Sequence, residues 1–370
     1  MNGLDVMGLV YSNSYDKCLP ELASLRAMGS VPFGGRYRLI DFQLSNMVNS
    51  GITKIGVITN NKYRSLLDHV GQGKAWDLSR KNSGLSFLPP FDGFNGNNGS
   101  RLSSLIANKT YISDAKEKYV VLADCNVVFN TDISKIVDFH IANKADITFG
   151  YVKAPVPQLE NKLALTLRAD GTVAEIRRCP NTDAVLNSTI GLSVMSRALL
   201  ESILNEAEEL DESSLERDVF MAKCGILKMY GYEITDFVGT IANVEDYYKI
   251  NMQLLEKSVR DDVFNADRPV LTKVHDDCPT MYKQGSTVAD SLICDGCYIA
   301  GTVENCVISR GVVIEEGAVV KNSILLQGSL IKKGSTLNCV ILDKNVTVGV
   351  GRNLSGAPDY PFFVGKGIKI

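Results

Sequence analysis

No apolar stretch in these 370 residues reaches the roughly 18 that a membrane-spanning helix needs. No charge of one sign dominates either. The 39 Lys and Arg and the 42 Asp and Glu leave a net charge of −3, so nothing favours nucleic acid or an anionic membrane as a partner. Met1 to Tyr11 has neither the basic region nor the long apolar run of a secretory leader, and a cytoplasmic protein is expected. The nine cysteines are scattered through the chain, which suits buried, reduced thiols better than a disulfide framework. Cys294 and Cys297 have C-x-x-C spacing, but no second pair and no histidine pair follow at metal-ligand spacing, and His275 stands alone. No metal site is expected there. What remains is an ordinary globular composition, 45% hydrophobic and 22% charged, in a chain long enough for two or three domains.

The first 250 or so residues alternate apolar runs with helical patterns. Val6 to Tyr11, Lys54 to Thr59, Lys118 to Leu122 and Ala145 to Lys153 read as strands. Ile40, Leu44, Met47 and Val48 share one helix face that Gly51 is placed to end, and Ile133 to Ala142 reads as a further helix. Such alternation predicts a Rossmann-like α/β domain with a mainly parallel sheet, whose ligands bind at the carboxyl ends of the strands. Pro89 to Ser100 is rich in Gly and Asn and reads as a long mobile loop.

The last third has a different period. Asp290-Ser291-Leu292-Ile293, Asn305-Cys306-Val307-Ile308, Asn322-Ser323-Ile324-Leu325 and Asn338-Cys339-Val340-Ile341 are variants of one tetrapeptide, with starts 15, 17 and 16 residues apart. Aliphatic residues recur every six positions at Ile308, Ile314 and Val320, then at Leu325, Ile331 and Leu337, with glycines at the corners. Three hexapeptides per coil describe a left-handed parallel β-helix. The expected division is an α/β domain over 1–257, a connector over 258–285 and the β-helix over 286–370.

Val31-Pro32-Phe33-Gly34-Gly35-Arg36-Tyr37-Arg38-Leu39-Ile40-Asp41-Phe42 resembles the signature of the ADP-glucose pyrophosphorylases, the glucose-1-phosphate adenylyltransferases. Gln43 to Asn46, Val48 to Ile52 and the β-helix extend the likeness over nearly the whole chain. The resemblance implies a nucleotidyltransferase domain followed by the β-helix. It also implies a reaction that joins a sugar phosphate to the α-phosphate of ATP. Such chemistry rests on positioning and charge neutralisation: a backbone cradle for the triphosphate, carboxylates for Mg²⁺, and basic residues on the phosphates.

Several of these parts are missing. Where the family has a glycine-rich phosphate loop, this chain has Asn13-Ser14-Tyr15-Asp16-Lys17-Cys18-Leu19. Met28 stands in place of the lysine of a Lys-Pro pair, while Arg26 matches a basic position linked to effector binding. Asp124 falls on the catalytic, metal-binding aspartate. The second metal aspartate aligns with Thr240, or with Phe237 beside Asp236 if three residues are inserted. The sugar-phosphate lysine aligns with Cys179; Arg177 and Arg178 stand nearby, although adjacent strand residues point to opposite faces. Thr189 keeps a hydroxyl near the sugar, with Gly191 close behind. Losing one such contact costs on the order of 3 kcal/mol, a factor of ~100 in rate, and four are gone.

The expectation is therefore a non-catalytic chain that resembles the GlgD-type regulatory subunits of bacterial glycogen biosynthesis. Asp124 is its one vestigial catalytic and metal residue, and Thr189, Gly191 and Arg178 are candidate substrate contacts. Arg26, Arg36 and Arg38 are candidate contacts for sugar-phosphate or nucleotide effectors. No cofactor is expected for this chain alone, Mg²⁺ belonging to a catalytic partner. A heterotetramer with that catalytic subunit is expected, and a dimer or homotetramer for the chain by itself. The alternative is a weakly active adenylyltransferase. A hexapeptide-repeat acyltransferase would need a histidine in the β-helix, and none occurs from Val288 onward.

Overall fold

The computed structural model describes residues 5–59, 62–81, 83–89, 100–155, 159, 162–179 and 184–370. The stretch read as a mobile loop lies almost wholly outside them. Among the described residues nine strands form the main sheet: β1 (Val6–Tyr11), β2 (Lys54–Ile58), β3 (Gly84–Leu88), β4 (Tyr119–Asp124), β5 (Ile147–Pro155), β6 (Leu163–Leu167), β7 (Val173–Arg178), β8 (Val185–Ser196) and β9 (Met229–Glu233). Their order is β7-β6-β8-β4-β1-β2-β3, with β5 paired to both β8 and β9. The β3-β2-β1-β4 half is parallel. The other half is mixed: β8 runs antiparallel to β4, β5 and β6, while β9 lies parallel to β5.

Every residue of β1 is buried. Successive side chains on a strand point to opposite faces. Met7, Leu9 and Tyr11 accordingly enter one core cluster, and Val6 and Val10 the other. That double burial is what a strand covered by helices on both sides requires.

The signature forms a tight hairpin, Pro32–Phe33 against Tyr37–Arg38, followed by a helix over Leu39–Asn49. The turn needs φ of +57° at Gly34 and +81° at Gly35, which favour glycine. Asp41 caps the helix by accepting from the Arg38 amide at 2.9 Å. Its buried carboxylate also takes the Thr272 hydroxyl and meets His69 Nε2, both at 2.6 Å. Tyr247 donates its hydroxyl to the Pro32 carbonyl at 2.7 Å, and the Gly34 amide donates to Asn251 Oδ1 at 2.9 Å. The hairpin tip rests on the β-helix, where a Cβ on Gly35 would stand 2.6 Å from Cys294 Sγ. The motif thus fastens three parts of the chain together: the α/β domain, the connector and the first coils.

Met281 to Val364 winds into a parallel β-helix, with five strands in each of three sheets. Ile308, Ile314, Val320, Leu325, Ile331 and Leu337 are completely buried along its axis. Each contributes about 1.5–3 kcal/mol by leaving water. Asp290, Asn305, Asn322 and Cys339 take positive φ at one corner. The fourth repeat therefore starts one residue later than its sequence suggests. Ile324 pairs with Ile341 and Asn322 lies level with Cys339, because Asn338 ends the preceding strand, paired with Lys321. Asn338 still joins the corner: Asn305 donates to Asn322 at 2.7 Å, and Asn322 to Asn338 at 2.9 Å.

Candidate functional site

Asp124 ends β4 at the carboxyl edge of the sheet and is 2% exposed. β8 lies beside β4 in the sheet, antiparallel to it. A register break between Thr189 and Ser193 lets Gly191 turn with φ of +75°, and a Cβ there would lie 2.2 Å from Asp124 Oδ2. Only glycine fits so close an approach. Asp124, Thr189 and Gly191 are thus brought together, as the sequence suggested. Arg178 is not: it lies exposed on β7, outside the residues that line the cleft.

The residue that dominates the cleft is one the sequence reading passed over. Arg101 opens the helix Arg101–Ala107, whose first turn is capped by Ser100 accepting from the Ser103 amide at 3.0 Å. Its Nη1 lies 3.3 Å from Asp124 Oδ2 and donates to Glu216 Oε1 at 2.8 Å. The guanidinium sits 4.8 Å above the centre of the Tyr11 ring. Glu216 comes from a π-helical turn, Leu215–Met221, and is 3% exposed. Burial opposes the charge on Arg101, but Asp124 and then Glu216 outweigh it and hold the guanidinium protonated. Burial pushes the Asp124 carboxyl up to about 6, with Arg101 pulling against it.

A second cation enters from β6. Lys162, just before that strand, is 4% exposed, and its ammonium donates to the Thr240 hydroxyl at 3.3 Å. Its carbonyl accepts from the Cys179 amide at 2.8 Å. Burial lowers the lysine to about 8, while Cys179 and Asp124 resist the shift. Lys162 thus stands beside Cys179, where the resemblance implies a lysine, and Thr240, where its ungapped form implies a carboxylate. The segment in place of a phosphate loop is closed as well. Asp16 turns away to accept from the Met28 amide at 2.7 Å, and the Tyr15 ring is buried against the cleft. Tyr15, Arg101, Phe149, Lys162, Thr189 and Phe220 line a small cavity of about 20 Å³, and a second one of about 530 Å³ has Ser188 and Thr240 in its lining.

A divalent ion does not fit these residues. The one aspartate at the family's metal position faces a guanidinium, and the hydroxyl at the second position faces an ammonium. Among the described residues no group of three His, Cys, Asp or Glu side chains converges as a metal site. Burial raises the Cys294 and Cys297 thiols.

The three arginines read as effector contacts part company. Arg26 is 4% exposed and its Nη2 is 2.5 Å from Asp343 Oδ2, a buried ion pair between the α/β domain and the β-helix. Its Nη1 is buried without a hydrogen-bond partner. Arg36 and Arg38 instead line a cavity of about 210 Å³ between the two domains, with His69, His275, Arg310 and Lys344. Asp68 is the one carboxylate among the lining residues. Arg38 donates to the Ser65 carbonyl and hydroxyl at 2.6 and 3.0 Å. Burial, then the charges of Arg38 and Arg26, bring Lys344 down to about 8. The cavity is a concentration of positive charge open to an anion.

Fold and cleft together define a nucleotidyltransferase-type domain joined to a hexapeptide-repeat β-helix. The family models agree: residues 19–256 match "Nucleotidyl transferase", and residues 275–356 match "GlmU-like, C-terminal hexapeptide". The chain is 32% identical to the "Glycogen biosynthesis protein GlgD" of Bacillus subtilis (strain 168), over 98% of this chain and 96% of that protein. It is 34% identical to the protein of the same name from Geobacillus stearothermophilus, over 84% and 82% of the two chains. The "Glucose-1-phosphate adenylyltransferase" of Clostridium botulinum (strain Alaska E43 / Type E3) is 28% identical, over 85% and 83%. The chain belongs to the ADP-glucose pyrophosphorylase family of glycogen biosynthesis, and within it to the GlgD type. Among the described residues no helix is long and apolar enough to cross a membrane.

Proposed function

We propose that this chain is a non-catalytic, regulatory subunit of glucose-1-phosphate adenylyltransferase, acting in the cytoplasm in a heterotetramer with a catalytic subunit that carries the Mg²⁺. The observation that supports this most is the Arg101 guanidinium on Asp124 and Glu216. An adenylyltransferase needs that aspartate free for a cation. The cationic cavity between the domains supports the regulatory half of the reading. Its arginines and Lys344 suit the phosphate of a sugar-phosphate or nucleotide effector, and a ligand there touches both domains at once.

The test is to purify the chain, assay pyrophosphate release from ATP and glucose 1-phosphate, and repeat the assay with a catalytic family member added. The expected result is no turnover alone, co-elution with the catalytic chain on gel filtration, and a changed rate or effector response in the mixture. Separate elution with unchanged kinetics refutes the regulatory role. Turnover by the chain alone that disappears in Asp124→Ala favours the alternative, a weakly active adenylyltransferase. Turnover that survives Asp124→Ala counts against both.

A further inference from the structure

The cleft contains two buried carboxylates, Asp124 and Glu216, and two buried cations, Arg101 and Lys162, so its formal charges cancel without any ion from solution. Arg101 uses a single nitrogen, Nη1, to face both carboxylates, at 3.3 and 2.8 Å. That is the place a bridging cation would take. The guanidinium is held on its other side by the Tyr11 ring, and the capped helix start fixes its backbone. Lys162 does the same on a smaller scale at Thr240, the position where the resemblance implies the second metal carboxylate.

We propose that Arg101 is the resident counter-cation of this cleft: it occupies the place of a divalent ion between Asp124 and Glu216, and the site takes up such an ion only when Arg101 is removed. A metal ion entering the wild-type cleft would have to displace a guanidinium that is buried, doubly paired and stacked, or share the carboxylates with it at close range. Both routes are unfavourable, because like charges so near one another repel strongly where water is scarce. Removing the guanidinium reverses the balance: it leaves two buried carboxylates a few ångströms from a common point, with Lys162 alone to offset them. A hard cation with oxygen ligands is what such a pair attracts.

The proposal deepens the reading of the cleft as non-catalytic, and its test is independent of that reading because it measures metal binding and no turnover. Free Mn²⁺ is followed by electron paramagnetic resonance during titration of the full chain as wild type, Asp124→Asn, Arg101→Met and the Arg101→Met/Asp124→Asn double variant. Circular dichroism checks that each is folded. The expected result is that wild type and Asp124→Asn bind Mn²⁺ equally weakly. Arg101→Met should bind one equivalent at least ~10-fold more tightly than wild type, and the double variant should lose that gain. Two results overturn the proposal: one tight equivalent on wild type that disappears in Asp124→Asn, or a folded Arg101→Met that binds no better than wild type. The comparison of wild type with Asp124→Asn decides even if Arg101→Met does not fold. Mixing experiments with a catalytic subunit can fail or succeed whichever way the Mn²⁺ titrations fall.

Discussion

Removing Arg26 should loosen the joint between the two domains. Its Nη2 lies 2.5 Å from Asp343 Oδ2, with the side chains 5% and 3% exposed, and the partners are 317 residues apart in sequence. Asp343 Oδ1 keeps one other contact, the Lys344 amide at 2.7 Å. Arg26→Ala leaves the carboxylate buried with that single donor. Breaking a buried pair from one side costs about 3–5 kcal/mol. For an α/β unit of roughly 250 residues, an unfolding entropy of about 2.1 cal/mol/K per residue converts each kcal/mol into about 2 °C. Arg26→Ala should therefore melt about 6–10 °C below wild type, and Asp343→Ala should fall similarly. Arg26→Met with Asp343→Leu removes both charges and should recover most of the loss, giving a coupling of at least ~2 kcal/mol in the cycle. Differential scanning calorimetry at low and high salt reads the midpoints, and the loss should persist in high salt because the pair is buried. A variant Arg26→Ala that melts with wild type but binds inorganic phosphate less tightly would refute the argument and return Arg26 to the effector contacts.

Three further outcomes follow from named positions. Burial lowers His140 to about 4, and its neutral ring shares a 2.9 Å hydrogen bond with Thr148 Oγ1. The unfolded imidazole binds its proton near its ordinary value, so the contribution is complete above about 6.5 and is lost as pH falls towards 4. Discounted for partial solvent screening, that loss is about 2 kcal/mol, and urea melts of wild type against His140→Gln at pH 7 and 4.5 should show it only in wild type. Gly191→Ala places a Cβ 2.2 Å from Asp124 Oδ2 at φ +75°, whereas Gly225→Ala at φ +89° meets nothing within 4 Å. The first should cost about 2–4 kcal/mol and the second about 1 kcal/mol, and equal losses in denaturant melts would sink the close-approach reading. Ile314→Ala, at a fully buried position in the stack, should cost about 2–5 kcal/mol in denaturant melts, since neighbouring coils cannot collapse around the void.

Much of the architecture could be read from periodicity alone. Val6–Tyr11 is a continuous apolar run because both its faces are covered, and the sixfold aliphatic spacing survives because each coil buries one residue per side. Local pattern failed where register depends on neighbours. Asn338 looks like the start of a tetrapeptide, yet pairing with Lys321 makes it the end of a strand. The short antiparallel strand Leu163–Leu167 gave no clear signal, being only five residues long. At the cleft, Asp124 was legible as a carboxylate at a strand end, while Gly191 stood out only through the family resemblance. Arg101 and Lys162 were not legible, because a lone basic residue beside a loop ordinarily belongs to solvent. The only hint for Arg101 was its place four residues before the buried Leu105, on one helix face. The pairing of Arg26 with Asp343 was not legible for a different reason: its partner lies in the other domain, and no local spacing announces it.

The hairpin tip has a consequence for how such chains are sorted. Gly34 and Gly35 are required by a turn, and Gly35 by the thiol of Cys294 against it, while Phe33, Phe42 and Tyr247 pack edge to face beneath. None of these contacts involves Asp124 or the residues around it. A chain can therefore keep this dodecapeptide intact for as long as its two domains stay joined, whatever becomes of its cleft. Surveys that tell catalysts from their relatives would do better to score the residue that faces the strand-end aspartate than the hairpin that holds the halves together.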